Sequence, residues 1–305
     1  VSGGAQGGFD PAAIPAAVRA RLRSLRLRAR RDAPGAGIGQ HAGRSRGAGL
    51  EFAQYRAYGQ GDEPRRVDWK LYARSDRYFV RDALRDSPLT LWLMLDASAS
   101  MEQADAARPH YRKIDAACEL AACAAEIALQ QGDAFGLAVL GGGGLKILPP
   151  ATGARHRDRL WLELRELRCG GALPTAEALR PLWGRIASGA VVLLLSDDFD
   201  DSVLECAERL AAAGRDLLSI GLLSAEERDF PFRGGHRFRE PESGAELDLE
   251  ARGEADGFLP RFRAARLALA RRLAAGGIRH VDHVIDQPLD APLHSLCRAG
   301  VESPG

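Results

Sequence analysis

The chain has 305 residues, 46% of them hydrophobic, which is enough for a sizeable core in one large domain or one domain with an appendage. A formal net charge of +1 gives the molecule no global attraction for nucleic acid or anionic lipid. The longest apolar runs, "LTLWLML" and "AVVLLL", fall far short of the ~20 residues a spanning helix needs, and the polar, Arg-rich start has no signal-peptide core, so a cytoplasmic location is expected.

In chain order, residues 1–48 stand apart. "VSGGAQGG" reads as a flexible leader, and "AAVRARLRSLRLRARRDAPGAG" sets Val18, Leu22, Leu25 and Leu27 among arginines as a short amphipathic helix before a Gly-rich loop. From Arg19 through Arg46 there are nine arginines against one acid, Asp32. This pattern fits a solvated helix packed on one side, or a basic arm for phosphates or a membrane surface. Residues 49–88 read as a β extension of two strand-like segments around the turn "GQGDEP". In it, Asp62, Arg65, Arg66, Asp68, Arg74 and Asp76 suit an ion-pair network pinning the extension to the main domain, with Trp69 and Tyr72 as packing aromatics.

Residues 89–298 alternate strand and helix. "LTLWLMLD" is a continuous apolar run, as in a strand buried on both faces of a parallel sheet. A helix with Ile114, Cys118, Ala121, Ala125 and Ala128 on one face comes next and closes at Gly132. Then come "AFGLAVLGGGGLKILPPA" as strand, turn and strand, and two helices, "RHRDRLWLELRELRCGG" and "TAEALRPLWGRIASG". The strand "AVVLLLSDDFDD", the helix "SVLECAERLAAAG", the strand "RDLLSIGLL" and the hairpin "HRFREPESGAELDL" continue the order. Helix 254–275, with Phe258, Phe262, Leu267 and Leu273 on an apolar face, leads to the strand "IRHVDHVI", whose His280 and His283 read as surface or edge residues. The pattern predicts an α/β fold with a doubly wound, mostly parallel sheet and helices on both faces, carrying the N-terminal β extension and an inserted hairpin. Cys118, Cys123, Cys169, Cys206 and Cys297 form no Cys-x-x-Cys pair and read as reduced thiols.

Two of these strands end in acids: one delivers Asp96 with Ser98 and Ser100, the other Asp197 with Asp198, Asp200 and Asp201 behind it. Open parallel sheets bind ligands beyond the carboxyl ends of their strands. If the two strands are neighbours, Asp96 and Asp197 share one crevice, where paired carboxylates repel unless a cation or a proton intervenes. Carboxylate and hydroxyl oxygens suit a hard divalent ion such as Mg²⁺, and alternate residues of an extended turn can face it together. Capping of the next segment by Ser98 or Ser100 is the competing explanation of the same residues.

"LMLDASASM" resembles the metal-ion-dependent adhesion motif of von Willebrand factor A-type domains. "GLEFAQYRAYGQGDEPRRVDWKLYARSDRYFVRD", "QQGDAFGLAVLG", "LLSDDFDD" and "FPFRGGHRFREPESGAELDL" are similar to the bacterial domain-of-unknown-function 58 family, A-type-like proteins often encoded beside MoxR-type AAA+ ATPases. That resemblance implies metal ligands at Asp96, Ser98, Ser100 and Asp197, holding Mg²⁺ or Mn²⁺. The family's middle threonine is replaced: aligned on "AEAL", Leu173 stands in its place and Thr175 falls two residues later, so either the loop shifts to bring Thr175 to the ion as the fifth ligand, or the site is partly degenerate and binds Mg²⁺ weakly. The implied function is a non-enzymatic adaptor for a MoxR-type AAA+ ATPase and a client offering an acidic side chain. Two other functions compete with it, a Mg²⁺-dependent hydrolase using Asp96 and a nucleic-acid or membrane-surface binder acting through residues 19–46.

Overall fold

A computed structural model describes residues 9–11, 14–29, 46–47, 51–59, 67–84, 88–141, 143–232, 235–239 and 246–299. The chain divides into two compact units, residues 1–36 with 89–305 and residues 37–88. The first boundary differs from the sequence reading, which set residues 1–48 apart. The reason is the apolar stripe of helix α1 (Ala16–Leu22): Val18 and Leu22, with Leu25 and Leu27 after them, are buried in the core of the larger unit. Arg21 on the same helix forks onto Asp290 at 2.5 and 2.7 Å.

The smaller unit holds strands β1 (Arg46–Gly47) and β2 (Glu51–Ala57), helix α2 (Trp69–Ser75) and strand β3 (Phe79–Leu84), in an antiparallel sheet of order β1-β3-β2. Helix α2 interrupts what the sequence reading took for two strands. Its start is fixed by Asp68, whose carboxylate accepts from the amides of Lys70 and Leu71, both at 3.0 Å. Asp76 closes it in the left-handed region, φ 51°. Trp69 is 58% exposed and meets Tyr72 and Tyr78 edge-on, while those two tyrosines stack at 4.5 Å. Asp62, Arg65, Arg66 and residues 60–64 of the expected turn lie outside the described residues.

The larger unit continues with β4 (Thr90–Asp96), α3 (Lys113–Gln131), β5 (Ala134–Leu140), β6 (Leu145–Ala151), α4 (Ala154–Arg165), α5 (Arg180–Arg185) and β7 (Val191–Ser196). It is completed by α6 (Asp201–Ala212), β8 (Asp216–Leu223), α7 (Ala225–Asp229), β9 (Gly235–Arg239), β10 (Glu246–Glu250), α8 (Ala251–Ala275), β11 (Arg279–Val284) and α9 (Ala291–Ala299). Strands β9 and β10 form the expected antiparallel hairpin. The other strands make one six-stranded sheet of order β11-β8-β7-β4-β5-β6, parallel throughout except between β5 and β6. The chain winds outward from β4 through β5 to one edge and from β7 through β8 to the other, so the switch point lies between β4 and β7.

Strand β4 shows why the runs are apolar without alternation. Leu91, Leu93 and Leu95 join a core shared with α1, α3, α4 and α9, while Trp92 and Met94 join a second core with α5, α6 and Leu273 of α8. Both faces are covered, and each such side chain contributes roughly 2 kcal/mol of burial. The predicted helix over "TAEALRPLWGRIASG" is realised only as the six residues of α5, which has a proline at its start. Helices α7 and α9, five and nine residues long, carried too little periodicity to be read. His283 lies on the edge strand β11, as one of the two expectations has it, but not at the surface: it is 2% exposed, and burial pushes its imidazole down to about 4. Cys118, Cys123 and Cys206 are buried, and all five cysteines are free.

Candidate metal centre

Strands β4 and β7 are parallel neighbours, with Leu95 opposite Leu195, so Asp96 and Ser196 leave the sheet side by side. Ser196 Oγ donates to Asp96 Oδ2 at 2.7 Å, and the Ser98 amide donates to Asp96 Oδ1 at 2.8 Å. Ser98 Oγ and Ser100 Oγ lie 3.0 Å apart. Ser98 stands at the N-cap of the short 3-10 turn Ala99–Glu102, yet its side chain makes no cap hydrogen bond, so the hydroxyl is not spent on capping. Asp96, Ser98, Ser100 and Asp197 are all buried at this rim.

Neighbouring loops clamp the turn that carries the serines. Ala97 donates to Leu140 O at 2.7 Å, Gly170 to Ala97 O at 3.1 Å, and Ala99 to Gly171 O at 3.1 Å. Gly141, at φ +101°, passes so close that a Cβ there would sit 2.9 Å from the Ala97 carbonyl carbon and 3.0 Å from Ser98 N. Only glycine allows β5 to end against the turn.

Thr175, the fifth residue expected at the site, is exposed, and its Oγ1 accepts from the Ala178 amide at 3.5 Å. Leu173, in the family threonine's place, packs half-buried against the core on the Trp92 and Met94 side. The "GGALPT" segment therefore touches the rim through its glycine pair, sends its leucine into the core and uses its threonine for a local turn.

Asp96 is 1% exposed, and burial first, then the charge of Asp197, raises its carboxyl to about 6 against the pull of Ser98 and Ser196. The charge nearest to it in effect is another acid. Asp197 has a cation that sequence reading missed: Lys113, the first residue of α3, is fully buried, with Nζ 3.4 Å from Asp197 Oδ2 and 2.7 Å from Glu227 Oε1. Glu227 belongs to α7, where it also accepts from the Ser224 amide in a capping box. The ammonium lies 5.3 Å from the ring of Phe199, which is itself 58% exposed beside the rim. One signal for Lys113 was present in the sequence, since Lys70, Lys113 and Lys146 are the chain's three lysines among 42 basic residues.

Behind Asp197 lies a second charged group. Asp198, at φ 63°, turns the other way and meets Arg266 of α8 at 3.1 Å. Arg266 also pairs with Asp282 and donates to the carbonyl of Asp197 at 3.3 Å. Among the described residues, Asp198, His280 and Asp282 are the acids and histidine whose ligand atoms cluster within 4.8 Å of one another. The guanidinium already supplies the positive charge these acids need. Burial pushes the Asp198 carboxyl up, partly countered by His280 and Arg266, and its Oδ1 has no hydrogen-bond partner among the described residues. Successive acids of one strand end are thus held by cations from helices on opposite faces of the sheet.

The donors at the main rim fit a hard divalent cation: two carboxylates and two hydroxyls, all oxygen, with Asp96 held by hydrogen-bond donors and, among the described residues, by no cation of its own. Fold and rim together define a doubly wound α/β protein with an acid-and-hydroxyl cluster at the switch point of its sheet. Residues 54–268 match the family described as "Protein of unknown function DUF58", and the chain belongs to that family. It is 28% identical over 228 residues to the uncharacterized protein Rv1480 of Mycobacterium tuberculosis (strain ATCC 25618 / H37Rv), covering 74% of this chain and 71% of that one. The uncharacterized protein Mb1516 of Mycobacterium bovis gives the same figures. Among solved structures it is similar to the conserved hypothetical protein BatB of Bacteroides thetaiotaomicron, with TM-score 0.42, 13% identity, and coverage of 70% of this chain and 100% of that one. The SpRpn10 VWA domain gives TM-score 0.39 and 10% identity, covering 68% and 95% of the two chains. Among the described residues, no helix is long and apolar enough to cross a membrane.

Proposed function

We propose that the protein is a non-enzymatic, cytoplasmic adaptor whose sheet rim docks a partner protein in a cation-dependent way, working with a MoxR-type AAA+ ATPase in protein remodelling or complex assembly. The observation that carries this reading is the buried Asp96, flanked by Ser98, Ser100 and Ser196 and facing Asp197, with no positive charge of its own among the described residues. Asp96, Ser98, Ser100 and Asp197 would hold Mg²⁺ or Mn²⁺, and Thr175 would join only by releasing Ala178. The ion would supply an electrophilic centre that an acidic side chain of a client completes. The chain's own residues do the rest. Ser196 and the Ser98 amide orient the Asp96 carboxylate, the clamped turn fixes both hydroxyls, and exposed Phe199 offers an apolar contact beside the rim. The ATPase partner is inferred from the family likeness.

The test is calorimetric titration of MgCl₂ or MnCl₂ into the wild-type chain and Asp96→Ala, with affinity capture from cells in the presence of Mg²⁺ and nucleotide. Binding lost in Asp96→Ala, with an AAA+ ATPase co-purifying, is the expected outcome. Absence of the ATPase from the captured material removes the adaptor reading, and Asp96-dependent turnover of phosphomonoesters replaces it with a hydrolase.

A further inference from the structure

Lys113 is a buried cation at the rim that the adaptor reading leaves unused, and its placement is unusual on three counts. Its side chain is fully buried, although a buried ammonium costs several kcal/mol unless acids surround it. It is a lysine in a chain whose basic residues are overwhelmingly arginines. Its two contacts are unequal, 2.7 Å to Glu227 and a loose 3.4 Å to Asp197. A guanidinium would grip a carboxylate through a planar fork, whereas an ammonium is a point charge on a flexible stem that can yield one partner and keep the other.

We infer that Lys113 is a built-in competitor for the divalent cation: its ammonium partly neutralises Asp197, holds the metal site weak, and withdraws onto Glu227 when an ion takes Asp197. This rests on the reading of the rim as a cation site and names the residue that sets its affinity. Geometry supports the division of labour. Glu227 is anchored at the start of α7, where its other oxygen accepts from the Ser224 amide at 2.7 Å, so it stays in place as a berth for the ammonium. Asp96, across the rim, makes its hydrogen bonds to Ser98 and Ser196, and Lys113 is not among its partners. An ion between the two aspartates must displace the ammonium from Asp197 and still lies near it once it rests on Glu227, and both the lost pair and the repulsion weaken its binding.

The experiment is calorimetry of MgCl₂ into the full chain carrying Lys113→Met, Lys113→Arg, or Lys113→Met with Asp96→Asn, beside wild type. The expected result is Mg²⁺ binding at least tenfold tighter in Lys113→Met than in wild type, weaker binding than wild type in Lys113→Arg because the guanidinium does not release Asp197, and loss of binding in the double variant. A folded Lys113→Met that binds Mg²⁺ no more tightly than wild type overturns the inference. If wild type still binds in an Asp96-dependent way, only the role of Lys113 falls; if neither binds, the cation site falls with it. Should Lys113→Met be unfolded without metal, circular dichroism decides. Recovery of the native spectrum by millimolar MgCl₂, but not by NaCl of equal ionic strength, supports competition, and no recovery overturns it.

Discussion

Asp96 shows how a single carboxyl can record what its surroundings lack. Its folded pKa of about 6 lies above the ordinary value of 3.8, so between those values the native state binds more protons than the unfolded one. Its contribution therefore favours folding at acid pH, declines as pH rises from about 4 to 6, and is constant above that. Asp96→Asn should remove this component, leaving the variant on the order of 2–3 kcal/mol less penalised at pH 7 relative to pH 4 than wild type. Urea denaturation of both proteins across that range checks it. The same measurement in MgCl₂ should flatten the wild-type curve and leave the variant unchanged. His283 acts in the opposite direction. Neutral and buried, it is pushed down to about 4, so its contribution is complete above its unfolded value near 6.5 and is lost as pH falls toward 4. His283→Gln should soften acid unfolding in that window, read by the midpoint of a pH titration followed by circular dichroism.

Between residue and molecule, the elements at the rim are held by backbone contacts that particular side chains would break. The end of β5 touches the serine turn at Gly141, where φ is +101° and a Cβ would meet backbone atoms at 2.9 and 3.0 Å. Gly141→Ala should displace the turn that carries Ser98 and Ser100, lowering stability by about 1–3 kcal/mol and weakening Mg²⁺ binding, both readable in one thermal-shift series with and without the ion. Leu193, at the centre of β7 and inaccessible to solvent, provides the contrast. Leu193→Ala should cost about 2–5 kcal/mol through the cavity it leaves while sparing metal affinity per folded molecule. The pair separates positioning of the site from stability of the sheet.

At the scale of the whole molecule, the larger unit is built from two stretches far apart in the chain. The helix at residues 16–22 and the segment after it bury Val18, Leu22, Leu25 and Leu27 in the same core as β4 and α3, and Arg21 bonds to Asp290. The basic arm of residues 19–46 is thus an integral part of the fold over its first turns. Deleting residues 1–29 should lower the melting temperature by several degrees and expose apolar surface, measurable by scanning calorimetry and dye binding. An arm that served only phosphates or membranes would leave the melting temperature unchanged.

The sequence by itself determined the doubly wound sheet, because strands covered on both faces must be apolar without alternation and the helices between them carry a 3.6-residue period. It also marked Asp96, Ser98, Ser100 and Asp197, since acids and hydroxyls ending two greasy strands are conspicuous. Tertiary structure alone decided that β4 and β7 are neighbours, that Thr175 faces a local turn, and that Lys113 and Glu227 close the rim from helices 84 residues before Asp197 and 30 residues after it. Those relations arise from strand order and burial. They are properties of chain crossings, and local periodicity and composition carry no record of them.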